Sequence, residues 1–115
     1  MTITLFGIPN CDTVRQARAW LQASGVDSRF VDFKKSGVPP LRLDAWLATV
    51  GWETLLNRKG TTWRKLDEAV GAAVLDLTSA RQLMLAHPSV IKRPVVEWGD
   101  GRTTVGFDAA AWAKR

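Results

Sequence analysis

Apolar and polar residues alternate from Thr2 to Phe6 (Thr-Ile-Thr-Leu-Phe), and the run is closed by Gly7 and Pro9, which predicts a short strand entering a loop. Asn10 stands where an N-cap is expected. From Cys11 to Ser24 the apolar positions Val14, Ala17 and Leu21 recur at helical spacing, and Gly25 supplies the stop. Ser28 to Phe33 alternates again, so a second strand is expected and the chain opens β-α-β. Helix-promoting stretches follow at Pro40 to Thr49, Trp52 to Asn57, Trp63 to Leu75 and Ser79 to Ala86, interrupted by Gly51, Gly60 and Pro88. Pro94 to Trp98 and Thr103 to Phe107, joined by Gly99-Asp100-Gly101, have the pattern of a β-hairpin, and Asp108 starts a last helix. The predicted order is β-α-β, a helical block, then β-β-α. No repeat, low-complexity tract or linker divides it, so a single domain over 1–115 is expected.

Composition narrows the chemistry. At 115 residues with 46% hydrophobic content, a real core is expected without disulfide staples. Cys11 is the one cysteine and His87 the one histidine, so neither an internal disulfide nor a closed Cys/His zinc site can form. No apolar run approaches the roughly 20 residues that cross a bilayer, and no basic-then-apolar leader pattern opens the chain, so a cytoplasmic location with a reduced thiol is expected. The net charge is +5, from 16 Lys plus Arg against 11 Asp plus Glu. The cations are dispersed in short pairs (Lys34-Lys35, Arg58-Lys59, Arg64-Lys65, Lys92-Arg93), a distribution that favours a solvated face or a small-anion site over nucleic acid.

Cys11 is the residue with chemistry to offer. A thiol in the first turn of a helix sits among unpaired N–H groups at the positive end of the dipole, and both favour the thiolate. Arg15, one turn on, can add positive charge while Asp12 opposes it, and the expected net shift of the thiol pKa is downward. A Cys-x-x-Cys motif would place a resolving thiol at Val14, so any redox cycle must pass through a mixed disulfide with an external thiol.

Three segments carry a family resemblance: Gly7-Ile8-Pro9-Asn10-Cys11-Asp12-Thr13, Leu56-Asn57-Arg58-Lys59-Gly60-Thr61-Thr62-Trp63-Arg64-Lys65-Leu66, and His87-Pro88-Ser89-Val90-Ile91-Lys92-Arg93-Pro94. In this order they resemble the arsenate reductase-like family, nearest to its YffB branch, with the Spx regulators as cousins. The resemblance runs from residue 3 to about 108. It implies an α/β thioredoxin-like fold, with a four-stranded mixed sheet and a helical insertion between strands 2 and 3. It also implies Cys11 as nucleophile, Arg93 as an anion-binding group, and a second such group at Arg58 or Lys59. Pro94 is expected to open a strand beside the cysteine. X-Pro bonds are cis only about 5–6% of the time in general, but the resemblance implies a cis bond here, with nearby backbone able to pair with an extended thiol. The activity implied is that of a glutathione-dependent thiol reductase, with glutathione as co-substrate, glutaredoxin as a further partner and no bound cofactor.

Two departures separate the chain from true arsenate reductases. Where these carry a late third Arg the chain has Val105-Gly106-Phe107, and where they have a His before the cysteine loop it has Gly7. A compact oxyanion thereby loses one bidentate donor, which ranks arsenate below a glutathione disulfide as substrate. The reading from another functional class is an Spx-like adaptor that binds RNA polymerase, against which stands Val14 in place of that group's common second cysteine. His87 is expected at a helix end rather than on a metal. The tryptophans are expected to pack, with Trp63 the one to watch, and Asp67-Glu68 are too divergent on a helix face to act as a catalytic pair.

Overall fold

The computed structural model describes residues 2–115. In chain order the elements are β1 (Ile3–Gly7), α1 (Asp12–Ala23), β2 (Ser28–Asp32), α2 (Phe33–Ser36), α3 (Pro40–Val50), α4 (Trp52–Leu55), α5 (Thr61–Lys65), α6 (Glu68–Ala72) and α7 (Leu77–Ala86). A 3-10 turn (Pro88–Val90), β3 (Val95–Glu97), β4 (Thr103–Val105) and α8 (Ala109–Ala113) complete the chain. These elements form two compact units, one made of the chain up to Phe33 together with Arg93–Arg115, the other of Lys34–Lys92.

The first unit is a four-stranded mixed sheet in the order β2-β1-β3-β4, with β1 parallel to β2 and antiparallel to β3, and β3 antiparallel to β4. This is the thioredoxin-like arrangement. Being central, β1 buries Leu5 and Phe6 on opposite faces, so the strict alternation expected of a half-solvated strand is lost at its C-terminal end. Val14, Ala17 and Leu21 form the buried stripe of α1 and pack with Leu5, Val96, Trp98 and Trp112. Trp112 is held edge-on by three rings, with centroids 4.8 Å away for Phe107, 4.9 Å for Trp98 and 5.6 Å for Trp20. The Trp98 indole N–H donates to Thr104 Oγ1 at 2.8 Å, which satisfies its polar atom inside the cluster.

Gly7 sets the approach of α1 to the sheet. A Cβ at this position would lie 2.8 Å from Val14 Cγ2, a distance that only a displaced neighbour could accommodate. A side chain at position 7 would therefore compete for the space that Val14 fills.

In the second unit α3 buries Leu43, Trp46 and Leu47, and α7 buries Ala80, Leu83 and Met84. An ion pair between Arg81 and Asp44, 2.6 Å apart, links these two helices at the surface. The stretch after α4 is tied back to the end of the unit by an isolated bridge between Leu56 and Ile91, where Asn57 N–H donates to Val90 O at 2.8 Å and Lys92 N–H to Leu55 O at 2.7 Å. Among the described residues no helix is long and apolar enough to cross a membrane.

Several boundaries differ from the sequence pattern. The cap of α1 is Cys11, not Asn10, because the Cys11 N–H turns back to Ile8 O at 3.2 Å and Cys11 keeps extended dihedrals, which delays the helix by one residue. Phe33 begins a helical turn rather than ending β2. The expected helix from Trp63 to Leu75 is two short ones, since Leu66 and Asp67 are both extended. The next helix starts earlier than expected, at Leu77. There Asp76 accepts from Ser79 N–H at 2.9 Å in a capping box, which holds the Asp76 carboxyl below its usual range.

Candidate functional site

Sheet register builds the site. Phe6 pairs with Val95, so the loop that leaves β1 and the segment that enters β3 emerge at the same end of the sheet. The first delivers Cys11 and the second Arg93 and Pro94. The Arg93-Pro94 peptide bond is cis. Pro94 has no N–H, and its carbonyl already accepts from Gly106 N–H at 2.9 Å.

Cys11 is half-buried at the N-cap of α1 and packs at the margin of the aromatic and aliphatic core. Burial by itself pushes its thiol pKa up. The Val14 amide, a hydrogen bond and the charge of Arg93, and the Thr13 amide together outweigh burial, and the net shift is downward. The neutral thiol makes no formed capping hydrogen bond, so these amides act on the charge that develops at sulfur rather than on a pre-existing cap.

Arg15 has a different role from the one its spacing suggested. Its guanidinium donates to Asp12 Oδ1 at 2.9 Å, with both side chains well exposed, and the cation that lowers the thiol pKa is Arg93. Helical spacing brings together only near neighbours in the chain, whereas Arg93 arrives through the pairing of β3 with β1.

Arg58 and Lys59 lie in the second unit, both exposed. Arg58 is positioned over two indoles, 5.6 Å from the Trp52 ring centroid and 5.7 Å from that of Trp63. The Lys59 backbone N–H donates to Asn57 Oδ1 at 3.1 Å. Both line a small cavity of about 280 Å³ with Lys92, and Arg58 alone of the two also lines a larger cleft of about 650 Å³ with Trp63, Arg64, Asp67 and Glu68. The sequence pattern runs one helix from Trp63 to Leu75 through Asp67 and Glu68 and spreads them over its face. The break at Leu66 puts both on the wall of that cleft.

His87 caps the C-terminus of α7 and is exposed. Among the described residues no group of three or more His, Cys, Asp or Glu is placed to hold a metal ion.

A thiolate-favouring cysteine at the end of a parallel βαβ unit, with an arginine and a cis-proline entering the adjacent strand, defines a thioredoxin-like protein with a one-cysteine site. The chain belongs to the ArsC family, whose match spans residues 6–115. It is 38% identical over 106 residues to an uncharacterised protein of Haemophilus influenzae, covering 92% of this chain and 91% of that one. An arsenate reductase of Rhizobium meliloti is 29% identical, covering 84% and 69%. The global transcriptional regulator Spx of Streptococcus pyogenes is 28% identical, covering 92% and 78%. Among solved structures, a YffB protein superposes with a TM-score of 0.90 at 51% identity, covering 97% and 96%. An arsenate reductase-related protein from Brucella melitensis superposes with a TM-score of 0.77 at 52% identity, covering 99% and 93%.

Proposed function

We propose that this protein is a glutathione-dependent thiol/disulfide reductase that works through one nucleophilic cysteine and an external thiol, as one cytoplasmic domain. The observation that carries the reading is the Cys11 thiol, favoured as thiolate by Arg93 and by the Val14 and Thr13 amides, in a chain with no second cysteine.

In the cycle, Cys11 thiolate attacks the glutathione sulfur of a mixed disulfide, forming a Cys11–glutathione disulfide and releasing the other partner as a thiolate that takes a proton from water. Glutathione thiolate then attacks the glutathione sulfur of that adduct, which releases Cys11 thiolate and forms oxidised glutathione. The net change reduces one mixed disulfide at the expense of one added glutathione thiol, and the glutathione carried in the substrate leaves as the other half of oxidised glutathione. Glutaredoxin can take the place of the second thiol. Arg93 stabilises the thiolate both as attacking and as leaving group, and Arg58 or Lys59 supplies a further donor for the anionic substrate. Since Pro94 O is already engaged by Gly106, backbone pairing with glutathione beside it falls to the carbonyl's second lone pair or to the preceding residue.

Arsenate reduction ranks second, favoured by the arsenate reductase relative and opposed by Val105, Gly106 and Phe107, which offer no third arginine. Regulation through RNA polymerase is the reading that the Spx relatives favour, and Val14 removes the paired-cysteine switch.

The test is mass spectrometry after incubation with oxidised glutathione, followed by side-by-side turnover of a glutathione mixed disulfide and of arsenate. The expected result is a single glutathione adduct on Cys11, absent in Cys11→Ser, and faster turnover of the disulfide. Arsenate turnover above disulfide turnover reverses the ranking. A polymerase complex indifferent to Cys11→Ser, in a chain that forms no adduct, favours the adaptor.

A further inference from the structure

A cavity of about 520 Å³ opens in the sheet unit at the end remote from Cys11. Its walls include Ile3, at the start of β1, and Leu21, near the end of α1. At about 1.5 Å of rise per residue, the helix puts roughly 15 Å between Leu21 and Cys11. Three indoles line the cavity, Trp98 and Trp112 buried and Trp20 half-buried. The planes of Trp98 and Trp20 stand at 88° and 78° to that of Trp112, so the rings form walls rather than a stack. The chain itself supplies a cation to this cavity. The Arg115 guanidinium lies over Trp98, 4.2 Å from the ring centroid, and its Nη2 is 3.5 Å from Asp100 Oδ2. The hairpin turn orients that carboxylate: Asp100 Oδ1 accepts from Arg102 N–H at 2.9 Å, and the other oxygen is the one that meets Arg115. The turn needs only a side-chain acceptor, which asparagine would also supply, so the charge of Asp100 serves the cavity and not the turn.

Indole faces are negative, and a carboxylate beside them adds to that field, so the cavity favours a cation and disfavours an anion. Arg115 fills this role weakly. Its pairing with Asp100 is a single long contact between side chains that remain 23% and 41% exposed, and such a pair is easily replaced. We infer that the cavity binds a small alkylguanidinium ligand, which takes the place of Arg115 against Trp98 and Asp100. A guanidinium is flat enough to stack on an indole while its edge donors reach a carboxylate, a combination that a compact ammonium does not match. The volume falls within the roughly 300–1,000 Å³ of small-molecule sites. This inference does not rest on the reductase reading, because none of its residues belongs to the Cys11 site.

The experiment titrates wild type, Arg115→Ala and Arg115→Ala/Asp100→Asn with N-acetyl-arginine amide and with N-acetyl-citrulline amide, its uncharged isostere. Binding is read from the indole N–H signals of Trp20, Trp98 and Trp112 by NMR. The Trp98 N–H, fixed on Thr104 Oγ1, is a reporter that does not depend on the exposed charges. The expected result is a saturable shift of these signals with the arginine amide. Arg115→Ala should tighten that binding by about tenfold, the combined worth of an exposed cation–π contact and an exposed ion pair, since the ligand no longer competes with the chain's own guanidinium. Adding Asp100→Asn, which keeps the acceptor for Arg102 N–H, should weaken it again by about fivefold. The citrulline amide should shift the signals little in any of the three proteins. The rate of Cys11 alkylation by iodoacetamide, which reports an intact fold at the far end of α1, should be the same in all three. Equal binding of the citrulline amide overturns the guanidinium site in favour of a merely apolar cavity. Binding in Arg115→Ala no tighter than in wild type overturns the exchange with Arg115, and no saturable shift in Arg115→Ala, with Cys11 alkylation unchanged, overturns the site altogether.

Discussion

The end of the sheet that carries Cys11 and the segment around Trp63 are held by different means. At the sheet end, backbone ladders join β1 to both neighbours and a stripe on α1 is buried completely at Val14 and Ala17, so Cys11 and Arg93 stand on a frame that packing determines. In the other region α5 and α6 bury no residue, and the segment is held by the Leu56–Ile91 bridge and by Trp63 against Gly71. The difference teaches where precision is needed. Activating a thiol depends on donors within hydrogen-bond reach of sulfur, and a shift of an ångström forfeits the effect. The exposed charges around Trp63 carry no such requirement, because charge attraction falls off slowly with distance.

The largest expected effect separates the two regions by stability. Trp112→Ala removes the ring on which Phe107, Trp98 and Trp20 converge and is expected to cost about 3–5 kcal/mol. Trp63→Ala, at a half-buried ring, is expected to cost about 1 kcal/mol. Urea denaturation checks both, and equal losses would erase the contrast. The same cluster decides how an arginine can be restored near the site. Phe107→Arg would remove one of the edge-on rings on Trp112, so a gain of arsenate turnover is better sought with Val105→Arg, at a half-buried position of β4.

Next comes the contact that sets α1 on the sheet. Gly7→Ala is expected to destabilise by about 1–3 kcal/mol through overpacking against Val14, and Val14→Ala in the same chain should recover part of that loss. A double-mutant cycle in urea measures the coupling, and additive effects would show that the two side chains do not compete for space. This contact was only half visible in the sequence. Gly7 and Val14 could each be noted as departures from a pattern, but that Val14 excludes a side chain at position 7 follows from the distance at which α1 crosses β1, which no spacing rule contains.

The smallest expected effects concern the thiol. Alkylation of Cys11 against pH should give a midpoint below the ordinary thiol value of about 8.5, and Arg93→Ala should move it upward by removing both a hydrogen bond and a charge. The same replacement should weaken binding of an anionic substrate by about 1.5–3 kcal/mol. Arg15→Ala should leave the midpoint nearly where it is, because that guanidinium is engaged by Asp12. The sign of the linked stability follows. A thiol whose folded pKa is lowered stabilises the fold fully above its unfolded pKa, and that contribution fades as pH falls through the folded value. The stability gap between wild type and Cys11→Ser should therefore widen in favour of wild type as pH rises across that window.

By itself the sequence determined what depends on near neighbours in the chain. The β-α-β opening, the Gly-Asp-Gly hairpin and the Asp108 cap of α8 were all legible, since the periodicity of side chains and the conformational preferences of Gly and Asp act over a few residues. The position of the single thiol at the mouth of a helix, and the lack of any resolving partner, were legible for the same reason. What the tertiary structure decided is which charges serve which groups. Arg93 reaches Cys11 because β3 lies antiparallel beside β1, while Arg15, the neighbour along the helix, is taken by Asp12. Asp67 and Glu68 reach the cleft of Arg58 and Arg64 because the chain is extended at Leu66 and Asp67, where local helix preference alone predicted one continuous helix. The free energy that settles such choices comes from burying Trp112, Val14 and their neighbours, and that burial is set by contacts between residues far apart in the chain.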